Sequence, residues 1–345
     1  MGRQIETKEN EVKKGKKKKK LRIGRIIFLI IIMVCVIVGI IFAKKLSDLE
    51  GNWMALLLGH DKETVKNMET LQILIMGEST GMSDTIILCS YNPKTQNVSM
   101  LSIPRDTYVT NGNYKYSAYN KINSLYSGGK TPEKTVQAVN EITGLNIQYY
   151  ILVDTEALIK LVNLIGGVYF DVPIDMNYDD DGQDLHIHLT KGYQKLTGEQ
   201  VEQVVRFRHN NDGTSYPPDY GNEDYGRMKT QRNIIIEVVK QTIKLKNITE
   251  IENIVNIMEE DVKTNVNFNS IIDYVPYVVN IDMNTIKTFQ LPGISENRGG
   301  YGWFFYHDEE ETKKLVDEFF NENSQPEENA VSEGNAVSEE NTVAE

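Results

Sequence analysis

After residue 43 the chain has twenty lysines but only six arginines, and five of the six fall in three short segments: IPRDT (103–107), VRFRHN (205–210) and DYGRMKTQR (224–232). A guanidinium is a planar fork of five donors that matches phosphate or carboxylate oxygens two at a time, whereas an ammonium is a point charge. Three such segments suggest a shared task in holding an anion, phosphate or carboxylate. Arg105 follows an apolar strand-like run, at the kind of strand end where open α/β sheets place ligands. Arg206 and Arg208 lie two apart where the chain leaves a helix, so an extended exit points both the same way. Arg227 and Gln231 are four apart on a helix and share a face, with Arg232 turned about a quarter circle away. Asp224 caps that helix and can orient a neighbouring arginine. The competing reading is ordinary salt bridges on an acidic surface.

The elements that position these residues alternate between strand and helix. LQILIM (71–76), TIILCS (85–90) and VSMLSI (98–103) read as strands, with YNPKTQN (91–97) as the turn joining the last two. Thr131-Pro132 opens a helix with Val136, Val139 and Ile142 on one face and Gly144 as its stop. Asp154 opens a second, carrying Leu158, Leu161, Val162 and Ile165 and ending at Gly166-Gly167. Val168–Val172 is a buried strand. Thr197 and Gln200 form a capping box ahead of Val201, Val204 and Val205. Residues 224–246 form a long helix with Ile235, Val238, Val239 and Thr242 toward a sheet. This order predicts an α/β fold, a three-layer α/β/α sandwich around a mixed central sheet.

The two ends differ from the middle. The net charge of −12 divides into eleven Lys/Arg against three Glu in residues 1–25 and 26 basic against 46 acidic residues in the remainder. Residues 26–43 (IIFLIIIMVCVIVGIIFA) carry no charge, and eighteen helical residues span about 27 Å, near the bilayer core. They predict an uncleaved transmembrane anchor. The basic block before it places the N-terminus in the cytoplasm and the rest outside. Residues 44–69 then connect the anchor to an outer domain at 70–322. The segment 323–345 is rich in Glu, Asn, Ser and Ala, repeats NAVSE, and reads as a disordered acidic tail. An anchored acidic domain excludes nucleic acid as a partner. Cys35 and Cys89 cannot form an intrachain disulfide if one lies in the anchor, so the outer domain depends on its core.

As an ordered set, SDTIILCSYNP (83–93), LSIPRDTYV (101–109), KIN (121–123), IGGV (165–168), KGYQKLTGEQVEQVVRFR (191–208) and DYGRMKTQR (224–232) resemble the LytR-CpsA-Psr family of cell-wall ligases. The resemblance runs from about Leu71 to Arg232 and continues weakly to LPG at 291–293. It implies an extracytoplasmic phosphotransferase in the cell membrane. Such an enzyme moves a teichoic acid or capsular polysaccharide from a polyprenyl-pyrophosphate carrier to peptidoglycan, with a hydrophobic tunnel for the lipid. It further implies Asp84 as a magnesium ligand. Arg105, Arg206, Arg208, Arg227 and Gln231 become pyrophosphate-binding groups, Arg105 and Arg227 also catalytic ones. Asp224 becomes the group that orients or deprotonates the sugar hydroxyl.

Two departures bear on the metal. The family's first strand usually ends in Gly-x-Asp, the Asp being a second ligand; here the residues are Gly77-Glu78-Ser79, with Ser79 in register and Glu78 one place early. Met82 stands where an arginine is common. Either Glu78 rotates in as a longer carboxylate, or Asp84, substrate phosphates and water suffice for magnesium. A third outcome is an anchored prenyl-phosphate-binding or regulatory protein with weak or no transfer activity, and a lipid pyrophosphatase is a further alternative. Asp179–Asp184 reads as a solvated hairpin turn, not a calcium loop, and His186 and His188 lack a third ligand for zinc. Lys121 and Asn123 either touch the acceptor sugar or fix a loop.

Overall fold

A computed structural model describes residues 38–41, 43–50, 52–79, 81–110, 117–127, 131–242, 251–267, 272–279 and 281–321. The anchor read at 26–43 falls mostly outside these residues and the tail read at 323–345 wholly so. Among the described residues no helix is long and apolar enough to cross a membrane. The chain divides into two units, Met1–Asn67 and Met68–Glu345. In the first, short helices cover Trp53–Leu57 and Lys62–Asn67, the former capped by Asn52, whose side chain accepts from the Ala55 amide.

The second unit is built on strands whose alternation has two apolar faces. β1 (Leu71–Ser79), β2 (Met82–Asn92), β3 (Asn97–Ser102) and β4 (Tyr149–Asp154) form the middle of a six-stranded mixed sheet. β9 (Val262–Thr264) lies at the β4 edge and β10 (Lys287–Gln290) at the β3 edge. The β1–β4 and β3–β10 pairs are parallel and the others antiparallel. Directly opposite residues share a face, so Leu101, Leu88, Leu74 and Tyr150 make one row across four strands. All four are buried, against α1 (Pro132–Thr143) and the C-terminal helix α6 (Glu309–Phe319). The neighbouring row, Ser102–Ile87–Ile75–Ile151, belongs to the other face. There Ile87 is buried but Ile75 and Ile151 remain partly open.

Over this second face come α2 (Thr155–Leu164), packed against β1 and β4, and the long α4 (Glu223–Thr242), packed against β2 and β3. Between them in sequence, β5 (Val168–Val172) pairs with β8 (Gly192–Leu196), β6 (Met176–Asp180) pairs with β7 (Leu185–Leu189), and α3 (Gly198–Arg206) follows. These form a second core in which Val162, Phe170, Val204 and Phe207 meet Ile234 and Val238 of α4. The apolar stripe of α4 thus serves that core. Val239, expected to face a sheet, is exposed, because a stripe wide enough for one partner needs only every third or fourth residue. The Thr197/Gln200 capping box forms, Asp154 caps α2 through the Ala157 amide, and Gly144 ends α1 at φ 71°. α5 (Ile251–Glu260) precedes β9, and β11 (Gly293–Asn297) pairs with β12 (Trp303–His307) in a separate hairpin.

The strands around the first motif run further than the apolar pattern suggests. β1 and β2 continue through Gly77–Ser79 and Met82–Asp84, with Gly77 opposite Thr85 and Glu78 opposite Ser83. Asp84 is therefore the extra residue of a β-bulge, a device that re-aims a side chain next to a site.

Candidate active site

Asp84, released from the ladder by its bulge, accepts a hydrogen bond from Arg105 Nη1 at 3.0 Å and another from Asn123 Nδ2 at 3.4 Å. Arg105 reaches it because β3 ends at Ser102 and the chain turns at Pro104. That loop is held on both sides: the Asn123 and Ile122 amides donate to the Arg105 and Thr107 carbonyls, and the Phe305 amide of β12 donates to the Asp106 carbonyl. Lys121 and Asp106 close the loop with an ion pair at 2.6 Å. Asn123 thus belongs to the site through Asp84, while Lys121 fixes the loop.

The other two segments come to the same place from α3 and α4. Arg227 Nη2 pairs with Asp224 Oδ1 one turn earlier on α4, the charges in contact without hydrogen-bond geometry. Arg208 Nη2 pairs with Glu223 Oε2 at 2.8 Å. Glu223 starts α4 with φ 43°, a left-handed backbone that is uncommon for a side chain with a Cβ, and its pairing with Arg208 was not foreseen. Its position next to Asp224 was the only signal. Gln231 donates to the Val205 carbonyl at 3.0 Å, tying α4 to the exit of α3.

Arg105, Arg208, Arg227, Asp84 and Asp224 act on one another electrostatically. Burial alone would lower the Arg105 pKa, but Asp84, Asp224 and Asp106 outweigh it and the net direction is upward. For Arg227 burial prevails, and Arg105 and Arg208 push the same way against Asp224 and Asp84, so its pKa falls. Each of the three guanidiniums has a carboxylate that holds it in place and uses only part of its fork. Nε of Arg208 and Nε of Arg227 are buried with no hydrogen-bond partner among the described residues. A buried donor without a partner is costly, and these donors fit an anion with several oxygens.

Arg206 is not brought into this group. As the last residue of α3 it is still helical, so it pairs with Glu202 four residues earlier at 2.8 Å and donates to Gln183 of the β6–β7 turn at 3.2 Å. Phe207 is the extended residue, and the two arginines diverge. Glu78 is also occupied elsewhere. Its carboxylate accepts from the fully buried Tyr126 hydroxyl at 2.6 Å, and Lys263 donates to that same hydroxyl at 3.0 Å. Among the described residues no group of three or more His, Cys, Asp or Glu is arranged around a metal. The donor set fits a magnesium held by a single protein carboxylate, Asp84, with phosphate and water oxygens completing its shell. His186 and His188 both face Asp179 on the β6–β7 hairpin, at 2.7 and 3.2 Å.

The LytR_cpsA_psr family model matches residues 7–320. Biofilm regulatory protein A of Streptococcus mutans is 28% identical over 257 residues, covering 68% of this chain and 59% of that protein. The polyisoprenyl-teichoic acid–peptidoglycan teichoic acid transferase TagU of Bacillus anthracis is 28% identical over 249 residues, covering 71% of this chain and 76% of the transferase. The match thus spans less than two thirds of the first relative and about three quarters of the second. Among solved structures, B. subtilis TagV is similar with a TM-score of 0.59 and 27% identity, covering 75% of this chain and 99% of TagV. TagT bound to LIIa-WTA shares the fold at a TM-score of 0.56 and 21% identity, over 74% of this chain and 91% of TagT. With the motif set, the mixed sheet and the arginine cluster in agreement, the chain belongs to the LytR_cpsA_psr family.

Proposed function

We propose that this protein is a membrane-anchored phosphotransferase that moves an anionic glycopolymer from a polyprenyl-pyrophosphate carrier to peptidoglycan. The observation that carries the proposal is the convergence of Arg105, Arg208 and Arg227, paired in turn with Asp84, Glu223 and Asp224, with buried guanidinium donors left unpartnered. Phosphoryl transfer needs positioning and cancellation of charge more than covalent help from the protein. The arginines bind the diphosphate and stabilise charge on its equatorial and leaving oxygens. Asp224 orients an acceptor sugar hydroxyl and takes its proton as the hydroxyl oxygen bonds to phosphorus. The bond from that phosphorus to the prenyl-phosphate oxygen breaks, and prenyl monophosphate leaves. The carrier's pyrophosphate supplies the driving force, so no nucleotide is consumed. Magnesium, held at Asp84, would supply further neutralisation of the phosphate oxygens.

The partly open apolar row containing Ile75 and Ile151 supports a place for the prenyl chain between the sheet and its covering helices. The uncharged run at 26–43 and the basic residues before it support a single anchor, with the catalytic unit outside the cytoplasm. The transferase named as a relative supports the same reaction class.

A second reading, an anchored prenyl-phosphate-binding protein without turnover, is favoured by one observation: Glu78, one place before the position of the family's second ligand, is engaged by Tyr126. Transfer from a lipid-pyrophosphate donor, measured with and without peptidoglycan, separates the readings. Wild-type protein should make linked polymer only with acceptor, and Arg105→Ala should reduce the rate at least about a hundredfold. Undiminished turnover in Arg105→Ala would refute the transferase proposal; binding without any turnover would establish the second reading. Pyrophosphate cleavage independent of acceptor would make the protein a hydrolase.

A further inference from the structure

Arg232 stands apart from the other arginines of the second unit. Arg105, Arg206, Arg208, Arg227 and Arg298 each pair with a carboxylate, whereas Arg232 forms no ion pair among the described residues. It is 6% exposed. Its Nη1 donates to Ser102 Oγ at 2.7 Å, and its buried Nε has no hydrogen-bond partner among the described residues. Burial brings its pKa down to about 10, with Tyr220 opposing the shift, so it stays cationic at neutral pH. A fold that keeps an unneutralised cation inside sacrifices stability for it.

Two neighbours say what that cation is for. Ser102 is three residues before Arg105, so their backbones are at most about 11 Å apart, and Gln231 and Arg227 precede Arg232 on the same helix. Ser102 also heads the cross-strand row Ser102–Ile87–Ile75–Ile151, whose last two residues are partly open. The guanidinium thus sits at the head of an apolar row, next to the buried Ile87, with the partly open Ile75 and Ile151 two and three strands further along and Arg105 three residues along the chain. Such an arrangement matches an amphiphile whose phosphate is attached directly to an apolar chain.

We propose that Arg232 is a second phosphate contact of this site, one that takes the lipid-bearing phosphate of the donor and retains prenyl monophosphate after transfer. The inference rests on the proposed function and assigns a positioning role to a residue outside the diphosphate cluster. In the third arginine segment Arg232 lies five residues after Arg227, about 140° around the helix, which fits a guanidinium directed away from the diphosphate cluster toward the donor's lipid side.

The test uses the full-length protein in detergent, with geranylgeranyl monophosphate, geranylgeranyl diphosphate, geranylgeraniol and inorganic phosphate as probes. Arg232→Gln removes the charge and keeps a polar side chain; Arg232→Met removes both charge and polarity. Both variants should bind geranylgeranyl monophosphate at least tenfold more weakly, bind geranylgeraniol as wild type does, and melt no lower than wild type. In transfer assays the donor KM should rise more than kcat falls. Equal monophosphate affinity in wild type and Arg232→Gln overturns the inference while leaving the proposed function intact. A parallel loss of geranylgeraniol binding, or a lowered melting temperature in both variants, shows a packing role and overturns it too. A loss confined to inorganic phosphate shows a generic anion site and refutes the lipid assignment. Failure of the wild type to bind either prenyl monophosphate or a prenyl diphosphate refutes both proposals together.

Discussion

Gly226 is the seat of α4, and its replacement by Ala tests whether the site depends on where that helix starts. A Cβ added there would stand 2.3 Å from Tyr216 Cδ2 and 2.4 Å from the Gly221 carbonyl oxygen. Ordinary contact is about 3.5 Å, so the start of the helix or Tyr216 must move by about 1 Å. Neither moves freely. Tyr216 is buried, donates to the Phe207 carbonyl at 3.1 Å and packs edge-on against the Phe207 ring, and the oxygen is backbone. Overpacking of this kind costs up to about 3 kcal/mol, against about 1 kcal/mol gained from helix propensity. The net loss of roughly 2 kcal/mol corresponds to a melting temperature lower by about 4–8 °C for a unit of this size. Arg227 and Asp224 ride on the same turn, and Phe207 lies between Arg206 and Arg208. A shift of about 1 Å in catalytic groups reduces rates by about a hundredfold. Gly144→Ala is the control. Its φ of 71° makes a side chain unfavourable, at about 1–2 kcal/mol, but nothing lies within 4 Å of the added Cβ and no site residue is attached to it. Thermal melting and transfer from a lipid-pyrophosphate donor should show similar destabilisation in both variants and loss of activity in Gly226→Ala alone. Wild-type transfer by Gly226→Ala, or equal loss of activity in the control, would refute the reasoning.

Further outcomes follow from other contacts. Tyr126→Phe removes a buried hydroxyl shared by Glu78 and Lys263 and should destabilise by about 1–3 kcal/mol in chemical denaturation. Glu78→Gln should leave the magnesium dependence of transfer unchanged, whereas Asp84→Asn should abolish transfer; a changed metal requirement in Glu78→Gln would place that carboxylate at the metal. The hydrogen bond that His186 Nδ1 donates to Asp179, opposed by lost hydration, raises the His186 pKa above its ordinary value. The stabilisation this pair lends the β6–β7 hairpin is therefore fully present below about pH 6.5 and is lost as pH rises through the raised folded value. An NMR titration of His186 should show a midpoint above about 6.5 that falls in Asp179→Asn, with Asp181 and Asp184 keeping part of the upward shift, and a wild-type midpoint at or below about 6.5 would contradict the ion pair.

Strand and helix existence was legible because it depends on neighbours in the chain. The runs at 71–76, 85–90 and 98–103 and the caps at Asp154 and Thr197 all form where periodicity and capping chemistry put them. The arginine segments were legible too, since their residue types are unusual for an acidic chain. What misled was local extrapolation at element ends. The exit of α3 begins one residue later than an extended Arg206 requires, so Arg206 follows its helix to Glu202. The extension of β1 and β2 past Gly77, with its bulge, could not be read from apolar runs, because Glu78, Ser83 and Asp84 carry no apolar signal.

By itself, the sequence determined where the guanidiniums fall: scarce, in three segments, each at the end of an element, in the order that marks the family. It also determined that the chain has a basic start, an apolar run and an acidic remainder. Only the tertiary structure decided which guanidiniums share a site. Arg105, Arg208 and Arg227 meet because a strand end, a helix exit and a helix start converge, each arginine beside its own carboxylate. Only the tertiary structure removed Glu78 toward Tyr126 and set Arg232 against Ser102, 130 residues away in sequence. The physical reason is the same throughout. Residue type and spacing set what a side chain can bind, but burial and the partners brought by distant strands decide whether its donors are already used.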